Sequence, residues 1–475
     1  MSAHAEETSA EVDTTVWDGS VAESFESGDG TGKDPYLIAT ASQLAYFAQC
    51  VNNGEGFKDK RIELRADIDL AKLPWTPIGT AENSFKGFFL GRGHIVSGLN
   101  YQNAEADYAG LFGYIENAYI SNVILVDSYV SVREGAGGIV GKSIYGSIEN
   151  CRSYATLSAN NIAGGIVAYN YGGDVEKCIN FGLVSGNNAG GIVGFNALSE
   201  DGDSLVASCR NVGNIVGGSN VGGIIGGDFG ESKIYNCINT KYIAATRYVG
   251  GIVGYKAKGS VSSCRNVADI LSADSESFCG GIAGLCGGET KNNYNTGRIN
   301  GEKYVGGIVG SGKDGRIESC YSVGVAIGRE FVGAVVGERG RSVSNCYYLV
   351  SGSADLNGKS LRGIGNTEKD SAEVRGLGFQ IARDAESYRG FDFSVWTIEG
   401  SLDYNYPEII THADIDAAYV REYGTGDPLR DIEPFFPNGQ DDQSAHKSVP
   451  VWIWIGGAAF FVALFVILFI KARSK

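Results

Sequence analysis

Residues 136–168 read AGGIVGKSIYGSIENCRSYATLSANNIAGGIVA, and the string that opens this stretch also closes it. Gly137-Gly138-Ile139-Val140-Gly141 returns from Gly164 (ending in Ala168), Gly190, Gly222, Gly250, Gly280 and Gly306. A degenerate copy starts at Gly333, and an earlier one, AGLFG, at Ala109. Successive starts differ by 28, 27, 26, 32, 28, 30, 26 and 27 residues. A second column follows in phase: Cys151, Cys178, Cys209, Cys237, Cys264, Asn293, Cys320 and Cys346. Two residues further on stand Ser153, Asn180, Asn211, Asn239, Asn266, Asn295 and Ser322. Two columns that hold phase over so many copies define a structural repeat.

The period restricts the architecture. Propeller blades need about 40–45 residues and helical repeats about 33–47, while a leucine-rich repeat would carry an L-x-x-L-x-L pattern that is absent here. The apolar runs are short, β-branched and broken by Gly, Asn and Ser, which marks strands and turns. About 27 residues would fold into two or three strands and close one coil of a parallel β-helix, each coil stacking on the next at about 4.8 Å. Repeat columns then become ladders. Isoleucine (Ile139, Ile166, Ile192, Ile224, Ile252, Ile282, Ile308) and cysteine suit an inward ladder, with cysteine acting as a small hydrophobe. The Asn/Ser column suits a turn ladder whose side chains bond the backbone and one another. The glycines serve positive φ or close approach of coils. Which of Ile and Val points inward is left open, because strand neighbours face opposite sides.

Outward from the repeat, Thr40 to Val51 has helical spacing of Leu44, Phe47, Ala48 and Val51, with Thr40 as N-cap. The expected organisation is a leader remnant at 1–16, an N-terminal cap with a short helix at 17–56, the β-helix at 57–350 and a C-terminal cap at 351–413. An acidic stalk at 414–448 follows, then a transmembrane helix at 449–470 and a basic tail at 471–475. The anchor rests on the run VPVWIWIGGAAFFVALFVILFI, which has no charge, Trp452 and Trp454 at one edge and Lys471, Arg473 and Lys475 after it. The cations predict a cytoplasmic C-terminus and an extracellular repeat region; a tail-anchored protein facing the cytoplasm is the alternative. Ala3-His4-Ala5 matches the end of a signal peptide whose apolar part is expected to be missing from this sequence.

Composition excludes several functions. The formal charge of −16 (39 Lys+Arg against 55 Asp+Glu) repels phosphate backbones, so no nucleic-acid partner is expected. Four histidines and no HExxH or paired CxxC leave no expected metal site, cofactor site or catalytic residue. Lys142 follows a near-match to a phosphate-binding loop, and Gly310–Gly315 matches GxGxxG, but both are copies of the repeat leading into strands. The cysteines are expected as buried thiols. Asp67 and Asp69 suit a strand end better than a catalytic dyad. Two acidic insertions, 198–204 and 273–276, should leave the solenoid at different corners, with calcium conceivable at the first. An enzyme would require convergent acids beside Arg or Lys on one groove, whereas only Arg210, Arg265 and Arg316 are scattered along the coils.

The GGIVG copies resemble the GLUG motif, a short repeat of bacterial surface proteins that also occurs in IgA-specific metallopeptidases. DPYLIATASQLAYFAQCVNNGEGFKDKRIELRADIDL, with WTPIG and GFFLGRGHIVSGL, resembles the entry module that often precedes such repeats. The resemblance covers roughly residues 17–410. It implies an all-β, right-handed parallel β-helix and an adhesin-like surface role, and with HExxH missing it transfers no catalytic residue. The functional expectation is a membrane-anchored extracellular protein, not an enzyme, that binds a host, glycan or cell-surface protein partner. A carbohydrate-active lyase or hydrolase, or a non-binding spacer, is the alternative.

Overall fold

The computed structural model describes residues 16–197, 204–350, 361–367, 373–378, 382, 384–398 and 407–409. The expected leader up to Thr15, the stalk, the membrane segment 449–470 and the tail lie outside the described residues. Among those described, no helix is long and apolar enough to cross a membrane.

The chain winds into a right-handed parallel β-solenoid of about 11 turns. Its strands stack into four long parallel sheets of 12, 12, 16 and 9 strands. One coil shows the plan. Val140–Ile144 belongs to the 9-stranded sheet and Ser147–Glu149 to the first 12-stranded sheet. Arg152–Ser153 lies in the second 12-stranded sheet, and Thr156–Ala159 with Ile162–Gly164 lies in the 16-stranded sheet. A coil therefore holds five strands rather than the expected two or three. Corners interrupt it at short intervals: Tyr145 and Asn150 both sit at positive φ, 52° and 50°.

Register runs residue on residue, Ser147 against Asp174, Ile148 against Val175 and Glu149 against Glu176. The column through Ile148, Val175, Val206, Ile234, Val261, Thr290, Ile317 and Val343 is buried, and apolar but for Thr290. The motif's Ile and Val are both buried, Ile139 with Val140 and Ile252 with Val253. The Ile stands at a corner between two strands, so strand alternation does not apply across it. Ala109 pairs with Ala136, not with the motif's first glycine, so the AGLFG copy is one residue shorter than the others.

The cysteine column is an inward ladder: its seven cysteines are free thiols and, like Asn293, are buried to 1% exposure or less. It is more than a row of small hydrophobes. The residue before each member has positive φ: Asn150, Lys177, Ser208, Asn236, Ser263, Asn292, Ser319 and Asn345. At that corner the next backbone N–H needs an acceptor, and the sulfur one coil on supplies it, 3.4 Å from Cys237 N to Cys264 Sγ. The thiol meanwhile donates to the carbonyl two residues earlier, Cys237 Sγ to Tyr235 O at 3.3 Å. Asn293 fits because its amide accepts that N–H and donates to a carbonyl of the preceding coil, the place where Cys237 Sγ lies 3.6 Å from Val206 O. Its Oδ1 accepts from Cys264 N at 2.8 Å and its Nδ2 donates to Val261 O at 2.8 Å.

The asparagine column forms the expected ladder, wholly inside. Nδ2 of Asn180, Asn211, Asn239 and Asn266 each donates to Oδ1 of the next asparagine at 2.8–2.9 Å. Each of these amides also binds the backbone two residues on, as Asn211 does with Gly213 O at 2.8 Å and Gly213 N at 3.3 Å. This ladder and the next coil's backbone together require the motif's second glycine. A Cβ on Gly223 would lie 2.0 Å from the backbone Gly251 O and 2.5 Å from Asn239 Cγ, and one on Gly251 2.0 Å from Gly281 O and 2.4 Å from Asn266 Cγ. The requirement is close approach rather than positive φ.

At the N-terminal end, the helix Ala41–Asn52 is capped as expected, with a capping box between Thr40 and Gln43. Leu44, Phe47, Ala48 and Val51 are buried in the core of the first coils. Tyr36–Ile38, just before it, already pairs with Arg61–Leu64 and so opens the first sheet. At the other end, Val374–Leu377 extends the second sheet beyond Cys346–Leu349, and Ile364 bridges to Val336. Tyr388, Phe391 and Trp396 instead lie along the side of the stack, over the outward tyrosines Tyr294, Tyr321 and Tyr347. Tyr347 donates to Arg389 O at 2.7 Å and Tyr321 to Pro407 O. An outward apolar column needs a lid, which is why this segment clamps a flank and not only the end.

Candidate functional site: an aromatic stripe along the solenoid

Outside the core, aromatic side chains collect where the 16-stranded and 9-stranded sheets meet. On the second, Tyr114, Tyr169, Phe195 and Tyr255 each follow the last small residue of a motif copy. On the first, Tyr248, Phe278, Tyr304 and Phe331 each precede the glycine pair (or its Gly-Ala equivalent) by two. Strand register stacks them, Tyr169 on Phe195 and Tyr248 on Phe278. Where Gly227 leaves the row empty, Phe229 fills it, 5.0 Å from Phe195 and 4.7 Å from Tyr255 between centroids.

The contacts run unbroken. Tyr114 meets Tyr108 at 5.7 Å and Tyr108 meets Tyr169 at 5.9 Å. Tyr255 meets Tyr248 at 5.4 Å, after which Phe278, Tyr304 and Phe331 follow in near-parallel stacks of 5.0, 4.6 and 5.0 Å. Eight coil steps of about 4.8 Å make this stripe about 40 Å long. Phe229 and Phe331 are its most open members, at 39% and 38% exposure.

Cations sit on the stripe. Lys142 Nζ lies 5.2 Å and 5.0 Å from the ring centres of Tyr108 and Tyr169. The lysine of the phosphate-loop look-alike is thus a strand residue spent on aromatic rings. Lys303 covers Tyr304 at 5.2 Å and also binds Glu276 at 3.0 Å. Burial pushes the phenols of Tyr108, Tyr114 and Tyr169 up, so at neutral pH these hydroxyls stay protonated and can donate.

The other candidates disperse. The insertion 273–276 flanks the stripe and turns on itself, Asp274 accepting from Glu276 N at 3.1 Å. Of the insertion 198–204, only Ser204 lies among the described residues, buried and bonded by Asn196 at 2.9 Å. The described strands flanking the first insertion, Val193–Ala197 and Leu205–Ala207, are not the counterparts of those flanking the second, Ile270–Ser272 and Phe278–Gly280. Among the described residues, no group of three His, Cys, Asp or Glu is placed to hold a metal ion. Asp67 accepts from His94 Nδ1 at 3.0 Å and Ile95 N at 2.9 Å, while Asp69 accepts from Ala71 N at 2.8 Å. Arg265 is buried against Tyr294, 3.1 Å from its hydroxyl. Arg316 joins Arg341, Glu289 and Asp314 around a shallow depression of about 300 Å³ on the flank of the last coils.

Sequence reading missed the stripe. Its members alternate between two motif positions and one is displaced to Phe229, so no single column shows it. The signal was an aromatic residue either just after or two before the motif.

No family model matches the chain. A protein of Evansella cellulosilytica, provisionally named a Gly-rich membrane protein, is 37% identical over 131 residues, covering 26% of this chain and 15% of that protein. Halomucin from Haloquadratum walsbyi is 29% identical over 157 residues, 30% of this chain and 2% of halomucin. The chain thus spans only a small part of the curated relatives it matches. A solved structure provisionally described as an immunoglobulin A1 protease from Bacteroides ovatus covers 81% of this chain and 95% of its own. It does so at 22% identity and a TM-score of 0.35.

Proposed function

We propose that this chain is a cell-surface β-solenoid of the adhesin-like kind and binds an extended glycan lying along the aromatic stripe. Residues 449–470 would anchor it in the membrane, with 471–475 in the cytoplasm and the coils outside. The observation that carries the reading is the stripe itself, about 40 Å of half-exposed rings, phenolic hydroxyls and lysines parallel to the solenoid axis. Solvent-facing aromatics in one continuous row mark an interaction site more often than a neutral surface. The resemblance of the GGIVG copies to the GLUG repeat supports a surface role, as does a relative named as a membrane protein. Catalysis is no part of this reading.

The experiment is a glycan-array screen of residues 17–440, followed by Phe229→Ala and Tyr255→Ala. Binding that rises with oligosaccharide length and drops at least tenfold in either variant supports the proposal. A second reading, a non-binding spacer, is favoured by the stacks themselves: Phe278, Tyr304 and Phe331 cover one another's faces and leave mainly edges to a ligand. No binding on the array, together with unaltered behaviour of the variants, would favour that reading.

A further inference from the structure

Opposite the stripe, inside the 9-stranded sheet, a second polar column crosses the core. It includes Asn170, Asn196, Asp228 and Lys256, all with no exposed surface. Asp228 and Lys256 are register partners on adjacent strands, Nζ lying 2.6 Å from Oδ2. A nitrogen at that distance lies within about 3.8 Å of the carboxyl carbon, since the C–O bond adds only about 1.2 Å. We propose that Lys256 and Asp228 condense to an amide cross-link that joins two neighbouring coils covalently.

The surrounding atoms suit that reaction. Oδ1 of Asp228 accepts from Gly230 N at 3.1 Å and from Asn196 Nδ2 at 3.2 Å, two donors aimed where negative charge would build on a tetrahedral carbon. Oδ2, the oxygen that must leave, accepts from Ser232 Oγ. The same hydroxyl accepts from Lys256 Nζ at 2.9 Å, and Ser232 O holds that nitrogen at 2.8 Å. Ser232 therefore bridges the nucleophile and the leaving oxygen.

The step balances without any outside reagent. In this dry site one proton passes from the ammonium to the carboxylate, giving amine and carboxylic acid without two buried charges. The Nζ lone pair forms the bond to Cγ, and Oδ1 takes the negative charge between Gly230 and Asn196. A second proton leaves Nζ, crosses Ser232 Oγ and reaches Oδ2, which departs as water when the Cγ–Oδ2 bond breaks. Ammonium plus carboxylate becomes amide plus water, with no net change of charge or oxidation state. Burial of both groups protects the contact from competing solvent.

The test uses the full chain, kept folded, then denatured, reduced and digested with trypsin. A cross-linked protein yields peptides 211–233 and 248–258 joined, lighter than their sum by one water and uncut after Lys256. Lys256→Arg should give no joined species. Ser232→Ala should slow its appearance on the order of a hundredfold, the usual worth of a positioned proton carrier. Full recovery of free 211–233 and of 248–256 from aged wild-type protein would overturn the proposal. An unchanged rate in Ser232→Ala would overturn the proton route through that hydroxyl.

Discussion

Cys237 shows how much one buried thiol does in this fold. Its thiol donates to Tyr235 O, and its sulfur takes the backbone N–H of Cys209 one coil earlier. Alanine at this position fills less space and removes both functions of the sulfur, for a cost of about 1–2 kcal/mol in a urea titration. Asparagine should cost less than aspartate, because Asn293 already accepts an N–H and donates to a carbonyl of the preceding coil elsewhere in the column. Aspartate places an unpaired charge there and should cost about 3–5 kcal/mol. Equal, mild effects of all three replacements would contradict the inward ladder. A neighbouring check is Gly223→Ala, whose methyl group would lie 2.0 Å from the backbone Gly251 O and 2.5 Å from Asn239 Cγ. Overpacking of this kind costs about 1–3 kcal/mol.

Elements in this protein are short because corners set their length, and the corners carry a conformational demand. Asn292 sits at φ 54° immediately before the column residue Asn293. Valine there should lose about 1–2 kcal/mol, the price of left-handed backbone for a side chain with a Cβ, while glycine should be nearly neutral. Thermal melts of both variants check this. Thr40→Ala should cost about 1 kcal/mol by removing the N-cap of the helix Ala41–Asn52. The helix, its cap and the strand-and-turn character of the repeat were legible because each leaves a local pattern of residue types. The left-handed corner was not, since Asn, Ser and Lys share it and have no common chemistry beyond tolerating or being forced into that φ. The polar column from Asn170 to Lys256 was equally hidden. It changes from asparagine to aspartate to lysine over neighbouring coils, so only the stacked register reveals that Asp228 and Lys256 meet.

Over the whole molecule the columns act together, and that gives the stability a pH dependence. Burial pushes the thiols of Cys151, Cys209, Cys264 and Cys320 up. Their contribution is fully present below about pH 8.5, where unfolded thiols are still protonated. Above that value the unfolded chain releases protons that the folded chain retains, so stability falls as pH rises, each thiol adding up to about 1.4 kcal/mol per pH unit. Urea midpoints in reductant should therefore be lower at about pH 9.5 than at about pH 7.5, and a rising midpoint would contradict the burial. At this scale the solenoid was readable from two columns in phase, because a parallel stack repeats its inside faithfully. Its outside was not: the aromatic stripe needs only contact, which Phe229 provides from a shifted position. The fold requires the cysteine column to lie inside, and native alkylation followed by intact mass reports its accessibility. Cys50, half-buried on the capping helix, differs from the other nine thiols, which are buried. The folded protein should take up one adduct quickly, at Cys50, and all ten only after unfolding; rapid labelling of Cys151, Cys178, Cys209, Cys237, Cys264, Cys320 or Cys346 in the folded protein would contradict the account.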